Sequence, residues 1–325
     1  MPLSRDDISF KADLPDLGGV MPVTRFQPPC LKDAQEQARA FAEALGIGIR
    51  ATVSVPHGLM AAGDDGQVEF FAASGALRGR NTAMMARYDD ERRDWPDLEK
   101  FDGPDGVDFR LGPDAAGQLL SAAHAVLERA GIEPGRAAFD RVALERWAQL
   151  DEKGNERDAG PGRATVQYVY TVAGVPLLGP GAKTNMHYDP ADRGGTLVRF
   201  FHVNRPHDEV AEVRTAPLEL ALDGLLTEQW RSTELNPGDA RIVVTAATVG
   251  LLAFPAHIPQ SHALPVLAVE GVVQGDLDGL EEIHFAKYLP AFDEKHAAEL
   301  GFAPVVETAP GEVVSRPPRL RKDVA

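Results

Sequence analysis

Three segments of the chain carry apolar residues at the spacing of one helical face. They lie at 31–47, 112–132 and 216–229, and their apolar residues recur three and four positions apart. In the first segment Phe41 and Leu45 belong to this stripe, and a glycine follows it directly, as is typical of a helix end. The pattern therefore predicts three helices.

Runs rich in β-branched and aromatic residues predict strands between these helices. The runs at 67–77, 165–177 and 263–273 each reach a glycine and then resume, as a bend or a bulge would. Segments 139–150 and 240–254 have a similar composition. A helix followed by strands thus occurs three times, which favours an α+β fold over a parallel sheet. We expect tandem units, each with one helix packed on a curved antiparallel sheet.

Polar stretches rich in glycine and proline, at 102–114 and 205–217, separate the repeated patterns. They indicate linkers between units that fold separately. The predicted division is an N-terminal unit at 1–104, a central unit at 105–208, a C-terminal unit at 209–305 and an irregular tail at 306–325.

The central and C-terminal segments contain VQYVYTVAGVPLLGPGAKTNMHYDPADRGGTLVRFFHV, a strand, a Gly-Val-Pro-Leu turn and two further strands, and ALPVLAVEGVV with EEIHFAKYLPAF as closing strands. This pattern resembles the PepSY and fungalysin/thermolysin-propeptide superfamily. It covers roughly 113–292. The resemblance implies a cystatin-like fold, one helix wrapped by an antiparallel sheet. It also implies a non-catalytic role in peptidase inhibition, peptidase chaperoning or ligand sensing.

The charge of the chain narrows the range of partners. A formal net charge of −16 repels nucleic acid and anionic membranes. No apolar run approaches the ~20 residues of a membrane span, and the first residues lack the apolar segment of a signal peptide. We expect a soluble, cytoplasmic protein whose oligomeric state is open. A single cysteine, Cys30, excludes an internal disulfide and a cysteine zinc site.

The segment GAKTNMHYDP contains a His-x-Asp pair, His187 and Asp189, which supplies two of the three ligands of a non-haem iron site. His257 or His262 would have to supply the third. Segments 183–189 and 196–203 read as a hairpin. If Asp189 is opposite Thr196, then His187 is opposite Val198 and Lys183 is opposite His202. In that register His202 is about 13 Å from His187 along the strand, too far to share its metal.

Three functions follow as alternatives. The first is a soluble, non-catalytic protein that binds a peptide or small molecule in clefts between units. The second is a cofactor-free acid–base enzyme acting on a small organic molecule, with His187, Tyr188 and Asp189 as catalytic residues. The third is a mononuclear metal oxygenase using the His-x-Asp pair.

For the binding function, the residues predicted to contact the ligand are aromatic or imidazole side chains: Trp147, Tyr168, Tyr170 and His202. We predict neither a cofactor nor a metal ion for this function.

Overall fold

The computed structural model describes most of the chain. The described residues are 4–17, 19–90, 94–103, 106–132, 137–152, 156–191, 195–226, 241–277 and 280–302. The tail predicted at 306–325 lies outside them.

The described residues contain five α-helices. They are α1 (Leu31–Ala44), α2 (Thr82–Asp90), α3 (Pro113–Arg129), α4 (Leu218–Asp223) and α5 (Glu294–Glu299). The first two predicted helices are confirmed as α1 and α3. Each is followed by a glycine at positive φ, Gly46 and Gly131, which ends the helix without a Cβ clash. The third predicted helix is short, because α4 tightens into a 3₁₀ turn at Gly224–Leu226.

Strands account for 51% of the described residues and helices for 22%. From the first part of the chain come β1 (Ile8–Phe10), β2 (Val20–Phe26), β3 (Ala51–Val55), β4 (Gly58–Ala62), β5 (Gly66–Phe71), β6 (Ala76–Asn81), β7 (Leu98–Gly103), β8 (Gly106–Leu111) and β9 (Ala137–Leu150). The remainder are β10 (Glu156–Val172), β11 (Val175–Leu178), β12 (Lys183–Asp189), β13 (Thr196–Val203), β14 (His207–Arg214), β15 (Arg241–Leu252), β16 (His262–Ala263), β17 (Pro265–Leu277) and β18 (Leu280–Pro290).

One mixed sheet of 13 strands dominates the described part of the chain. Its main path runs β18-β17-β15-β11-β10-β12-β13-β6-β5-β4-β3, with β1 beside β15 and β9 beside β10. The pairs of β15 with β1 and β11 are parallel, and the other pairs of this sheet are antiparallel. Two smaller sheets, β14-β2-β16 and β7-β8, complete the described strands.

The predicted α+β fold of tandem cystatin-like units is therefore wrong. The protein is mostly β, with a continuous sheet in place of repeated helix-and-sheet units. The physical reason is the length and pairing of the strands. Strand β10 alone spans Glu156–Val172, and the two predicted linkers contain β8 and β14.

Strand pairing crosses both predicted unit boundaries. β6, in the predicted first unit, pairs with β13 in the second. β14 begins at His207, before the predicted boundary at 208/209, and pairs with β2 near the start of the chain. A cut at either boundary would divide a hydrogen-bonded ladder. The separate folding of these units stays a prediction.

The largest core cluster lies between helices α1 and α3 and one face of the strands β10, β12, β13 and β6. We call this helix-covered side the inner face and the opposite side of the same strands the outer face. Phe41 of α1 stacks on Phe200 of β13, with ring centroids 4.0 Å apart. Phe200 lies opposite Gly79 of β6, where a Cβ atom would meet the phenyl ring. The glycine thus makes room for the ring in the core.

No helix of the described ranges is both long enough and apolar enough to span a membrane.

Candidate functional site

Strand β12 carries the predicted catalytic residues on both of its faces. His187 is partly exposed on the outer face, and Asp189 follows it two positions later. Tyr188 lies between them and is buried on the inner face, with 2% of its surface exposed. Its hydroxyl donates to the sulfur of Met186 at 3.5 Å. The structure therefore separates Tyr188 from the other two, because adjacent strand residues point to opposite faces.

His187 is held on the outer face by two neighbouring strands. Its Nδ1 atom is 2.9 Å from the Thr165 hydroxyl of β10 and 3.6 Å from the Glu145 carboxylate of β9. His187 is the main cause of a lowered pKa of Glu145, and the charges of Arg163 and Arg199 act in the same direction. The tautomer decides the roles of the two ring nitrogens: if Nδ1 accepts from the Thr165 hydroxyl, Nε2 carries the proton, and if Nδ1 donates, Nε2 is an acceptor.

Asp189 is bonded to an arginine of the neighbouring strand. Arg163 Nε donates to Asp189 Oδ1 at 2.7 Å, and this carboxylate is almost fully buried. The same guanidinium reaches the Met85 carbonyl of α2 at 3.4 Å. The carboxylate that contacts His187 is therefore that of Glu145. The predicted acid–base reaction stays a prediction, and the structure gives His187 a partner that we did not predict.

A line of polar side chains crosses the outer face through His187. Cross-strand register places Gln67 of β5 opposite Arg80 of β6, Arg80 opposite Arg199 of β13, Arg199 opposite His187, and His187 opposite Thr165. Directly opposed residues have Cβ atoms about 5 Å apart. Two arginines are thus immediate neighbours beside His187.

The predicted ligand residues Tyr170 and His202 belong to a buried network on the inner face. The Thr184 hydroxyl lies 2.7 Å from the Tyr170 hydroxyl and 2.7 Å from His202 Nδ1. Burial lowers the pKa of His202 to about 4 and raises the pKa of Tyr170 to about 12. Both groups are neutral near pH 7, and neither meets solvent. This network stabilises the core.

His202 lies on the inner face because the observed register of the hairpin differs from the predicted one. Asp189 is opposite Thr196, as predicted, but β13 has a bulge, and His187 is opposite Arg199 rather than Val198. The extra residue shifts the later pairs by one, so that His202 is opposite Thr184. A shift of one residue moves a side chain to the other face of the sheet.

Tyr168 is also a core residue, with 1% of its surface exposed. Its ring centroid is 5.7 Å from that of His124 on α3 and 6.3 Å from that of Phe139 on β9. Burial raises the pKa of its phenol, and the hydroxyl has no hydrogen-bond partner within the described ranges. Because the ring lies beneath a helix, we place Tyr168 in the core and outside any open site.

Trp147 lies at an open cavity of about 380 Å³ between the β7-β8 hairpin and strands β9 and β10. Trp95 and Phe109 supply two further aromatic side chains to the wall, and both are buried. Both indole nitrogens are already bonded to strand β10, Trp95 to the Gly162 carbonyl at 2.9 Å and Trp147 to the Pro161 carbonyl at 3.1 Å. These two hydrogen bonds to β10 fix the orientation of both indole rings.

A glycine allows Trp147 to lie flat against β10. Gly160 is directly opposite Trp147 in the ladder, and a Cβ atom there would be 2.6 Å from the indole ring. Such a distance is shorter than carbon atoms tolerate. We therefore regard Gly160 as necessary for the position of this wall of the cavity.

Three charged side chains line the same cavity: Asp94, Asp158 and Lys100. The Lys100 ammonium lies over the Phe109 ring, 5.7 Å from its centroid. Neither carboxylate has a hydrogen bond or an ion pair to another described residue. The cavity thus combines three aromatic side chains with a local excess of one negative charge.

The residues proposed as metal ligands do not come together. His262 is on β16, buried against Phe302, with Nδ1 2.8 Å from the Ser261 hydroxyl. His257 is exposed in a turn. Among the residues that the structure describes, no three His, Cys, Asp or Glu side chains are grouped as a metal site requires. The ligands that the metal-oxygenase alternative requires therefore do not lie together around one metal position in the described structure.

The site residues predicted from the sequence do not include Glu145, Arg199 or Trp95. The alternation of side chains along β9 would place Glu145 on the same face as His187 if the pairing of β9 with β10 were known. No local pattern in the sequence indicates that Arg199 or Trp95 belongs to a site, because their positions depend on strands and loops that are distant in sequence.

Comparisons with known proteins give little guidance. No protein-family model matches the chain, so the PepSY resemblance stays a prediction, and no curated protein matches either. One similar solved structure is that of an uncharacterized protein from Eubacterium rectale ATCC 33656, which is 10% identical. The match covers 90% of this chain and 91% of that chain, with a TM-score of 0.46.

Proposed function

We propose that this is a non-catalytic binding protein and that the Trp147 cavity holds a small organic cation. The observation that carries the proposal is the wall of Trp95, Phe109 and Trp147 around about 380 Å³, with Asp94 and Asp158 at its edge. Aromatic faces attract ammonium groups, most strongly where water is excluded. Carboxylates beside the rings add direct attraction for the same charge.

The charge of the whole chain favours the same ligand class. A net charge of −16 attracts cations and raises their local concentration near the surface. Lys100 already places one ammonium over an aromatic ring of the cavity, which is the contact that we propose for the ligand. Because the wall is held by backbone hydrogen bonds, it requires little reorganisation to bind. The cytoplasmic location stays a prediction.

The first test compares two ligands of equal shape. Choline carries a trimethylammonium group, whereas 3,3-dimethylbutan-1-ol has the same outline without charge. Calorimetric titration of the full chain should show binding of choline and at least about tenfold weaker binding of the alcohol. Equal affinities would reject cation recognition, and absence of binding by both at millimolar concentration would reject the proposed ligand class.

Variants then locate the binding. Trp147→Leu should weaken choline binding about 2- to 30-fold, the range of a lost cation–π contact. Lys100→Gln should strengthen it, because the competing ammonium leaves the Phe109 ring. Phe101→Leu is the matched control, since the same hairpin holds Arg110 over Phe101, with the guanidinium 5.8 Å from the ring centroid. The proposed place in the fold is rejected if this control weakens binding as much as Trp147→Leu does.

A further inference from the structure

The outer face of the main sheet carries a second group of charges, of opposite sign to the cavity. Arg80 and Arg199 are directly opposed on β6 and β13, and both are exposed. Like charges in this position destabilise a sheet, unless a counter-charge lies between them. Within the described residues, neither arginine makes a hydrogen bond or an ion pair. Among the described residues, the opposed pair therefore has no bonded counter-charge, although the Glu145 carboxylate interacts with Arg199 through its charge.

The carboxylates of the same face are bonded to other partners. Glu69 is 2.7 Å from the Arg78 guanidinium and also contacts His57. Asp189 is bonded to Arg163, and Glu145 contacts His187. Each of these three carboxylates has a basic partner, whereas the two adjacent arginines have no bonded carboxylate. A ligand could supply the charge that the pair lacks.

His187 extends the group to a third strand. It is opposite Arg199 on the side of β12 away from β10, and its Nδ1 atom is turned to Thr165 and Glu145. Its Nε2 atom makes no hydrogen bond within the described ranges. Two guanidinium groups and an imidazole, on three adjacent strands, can surround one oxyanion when Nδ1 accepts from the Thr165 hydroxyl and Nε2 carries the proton. Arginine forks match the oxygen spacing of phosphates and carboxylates.

We propose that Arg80, Arg199 and His187 form an anion site on the outer face, for a small molecule that carries a phosphate or carboxylate group. The arginines supply the charge, and His187 borders the oxyanion on the side of β12. The site is distinct from the Trp147 cavity, which we propose for a cation. The proposed anion site does not depend on the proposed cation site, and its ligand would bind to the outer face of the sheet.

The experiment uses the full chain and inorganic phosphate, with citrate as the carboxylate probe. NMR signals of the arginine Nε–H groups report directly on the guanidinium groups. We expect phosphate or citrate to shift the signals of Arg80 and Arg199 with one common dissociation constant. Arg80→Gln and Arg199→Gln should each weaken that binding about tenfold or more, as loss of a charge-assisted hydrogen bond predicts.

Arg78→Gln is the matched control. Arg78 lies on the same strand and the same face, but its guanidinium is bonded to Glu69. It should change oxyanion affinity less than about twofold, which is the expectation for an exposed charge outside the site. Equal weakening by all three variants would show non-specific attraction, and unshifted Arg80 and Arg199 signals at millimolar anion would equally overturn the proposal.

A stability measurement separates a site from a structural pair. Without anion, Arg80→Gln should melt at the same temperature as the unaltered chain or higher, because like-charge repulsion is removed. With phosphate, the unaltered chain should gain stability and the variant should not. A lower melting temperature of Arg80→Gln without anion would assign the arginine a structural role. Choline binding should be unchanged in every one of these variants, so the two proposals can fail separately.

Discussion

The two histidines His187 and His202 occupy neighbouring strands of one sheet and have opposite surroundings. His187 is on the outer face, among charged and hydroxyl groups. His202 is on the inner face, buried under α1, where burial lowers its pKa to about 4. The comparison shows that the sheet separates partly exposed charged groups from buried neutral ones. The polar groups of the inner face bond to one another.

The largest expected effect tests the inner face by itself. Phe200→Ala removes a fully buried ring that stacks on Phe41, and we expect a loss of about 3–5 kcal/mol in the free energy of unfolding. His187→Ala, on the outer face of the neighbouring strand, should cost less than about 1 kcal/mol. Urea denaturation of both variants measures the difference. Similar losses would contradict the division of roles between the faces.

The second prediction concerns pH and the inner face. The pKa of His202 is about 4 in the folded chain and about 6.5 when unfolded. Because the folded pKa is the lower one, its contribution to stability is complete above pH 6.5 and is lost as pH falls towards 4. The loss amounts to about 3 kcal/mol at most.

Melting temperatures from pH 7 to pH 4.5 test this effect. His202→Gln should flatten the decline by the share that His202 causes. A decline that is unchanged in this variant would contradict the lowered pKa of His202.

The smallest predicted effect compares a buried ion pair with an exposed one. Arg163 and Asp189 are 18% and 7% exposed, and Arg50 and Asp64 are 73% and 61% exposed. Double-mutant cycles, with Gln replacing Arg and Asn replacing Asp, should give a coupling of about 1–3 kcal/mol for the first pair. The second should give less than about 1 kcal/mol. The reverse order would show that desolvation of the buried pair exceeds its attraction.

Local patterns in the sequence predict the local structure well. The stripe that contains Phe41 and the stop at Gly46 predict α1, and similar signals predict α3. The hairpin of β12 and β13 is also confirmed. These features depend on residues near one another in sequence, so periodicity and turn chemistry are sufficient to find them.

The same local patterns do not predict which strands pair when the strands are distant in sequence. No nearby residue indicates that β6 pairs with β13, yet that pairing opposes Arg80 to Arg199. The bulge in β13 is a single extra residue, and it decides which face His202 occupies. Sheet topology also overturned the fold class, because helix and strand composition does not determine strand order. The sequence thus indicated the His187 strand and missed most of its neighbours.

The parallel pairing of β1 with β15 has a consequence for biosynthesis. Ile8 is opposite Ile242, so β1 leaves the ribosome long before the strand to which it bonds. At a translation rate of about 5–20 residues per second, β1 waits on the order of 10–50 s for its partner. A nascent chain carries β1 without its partner for that period, and contacts this distant in sequence slow folding further. Chaperone dependence during translation, rather than after release, is therefore the expected cost of this architecture.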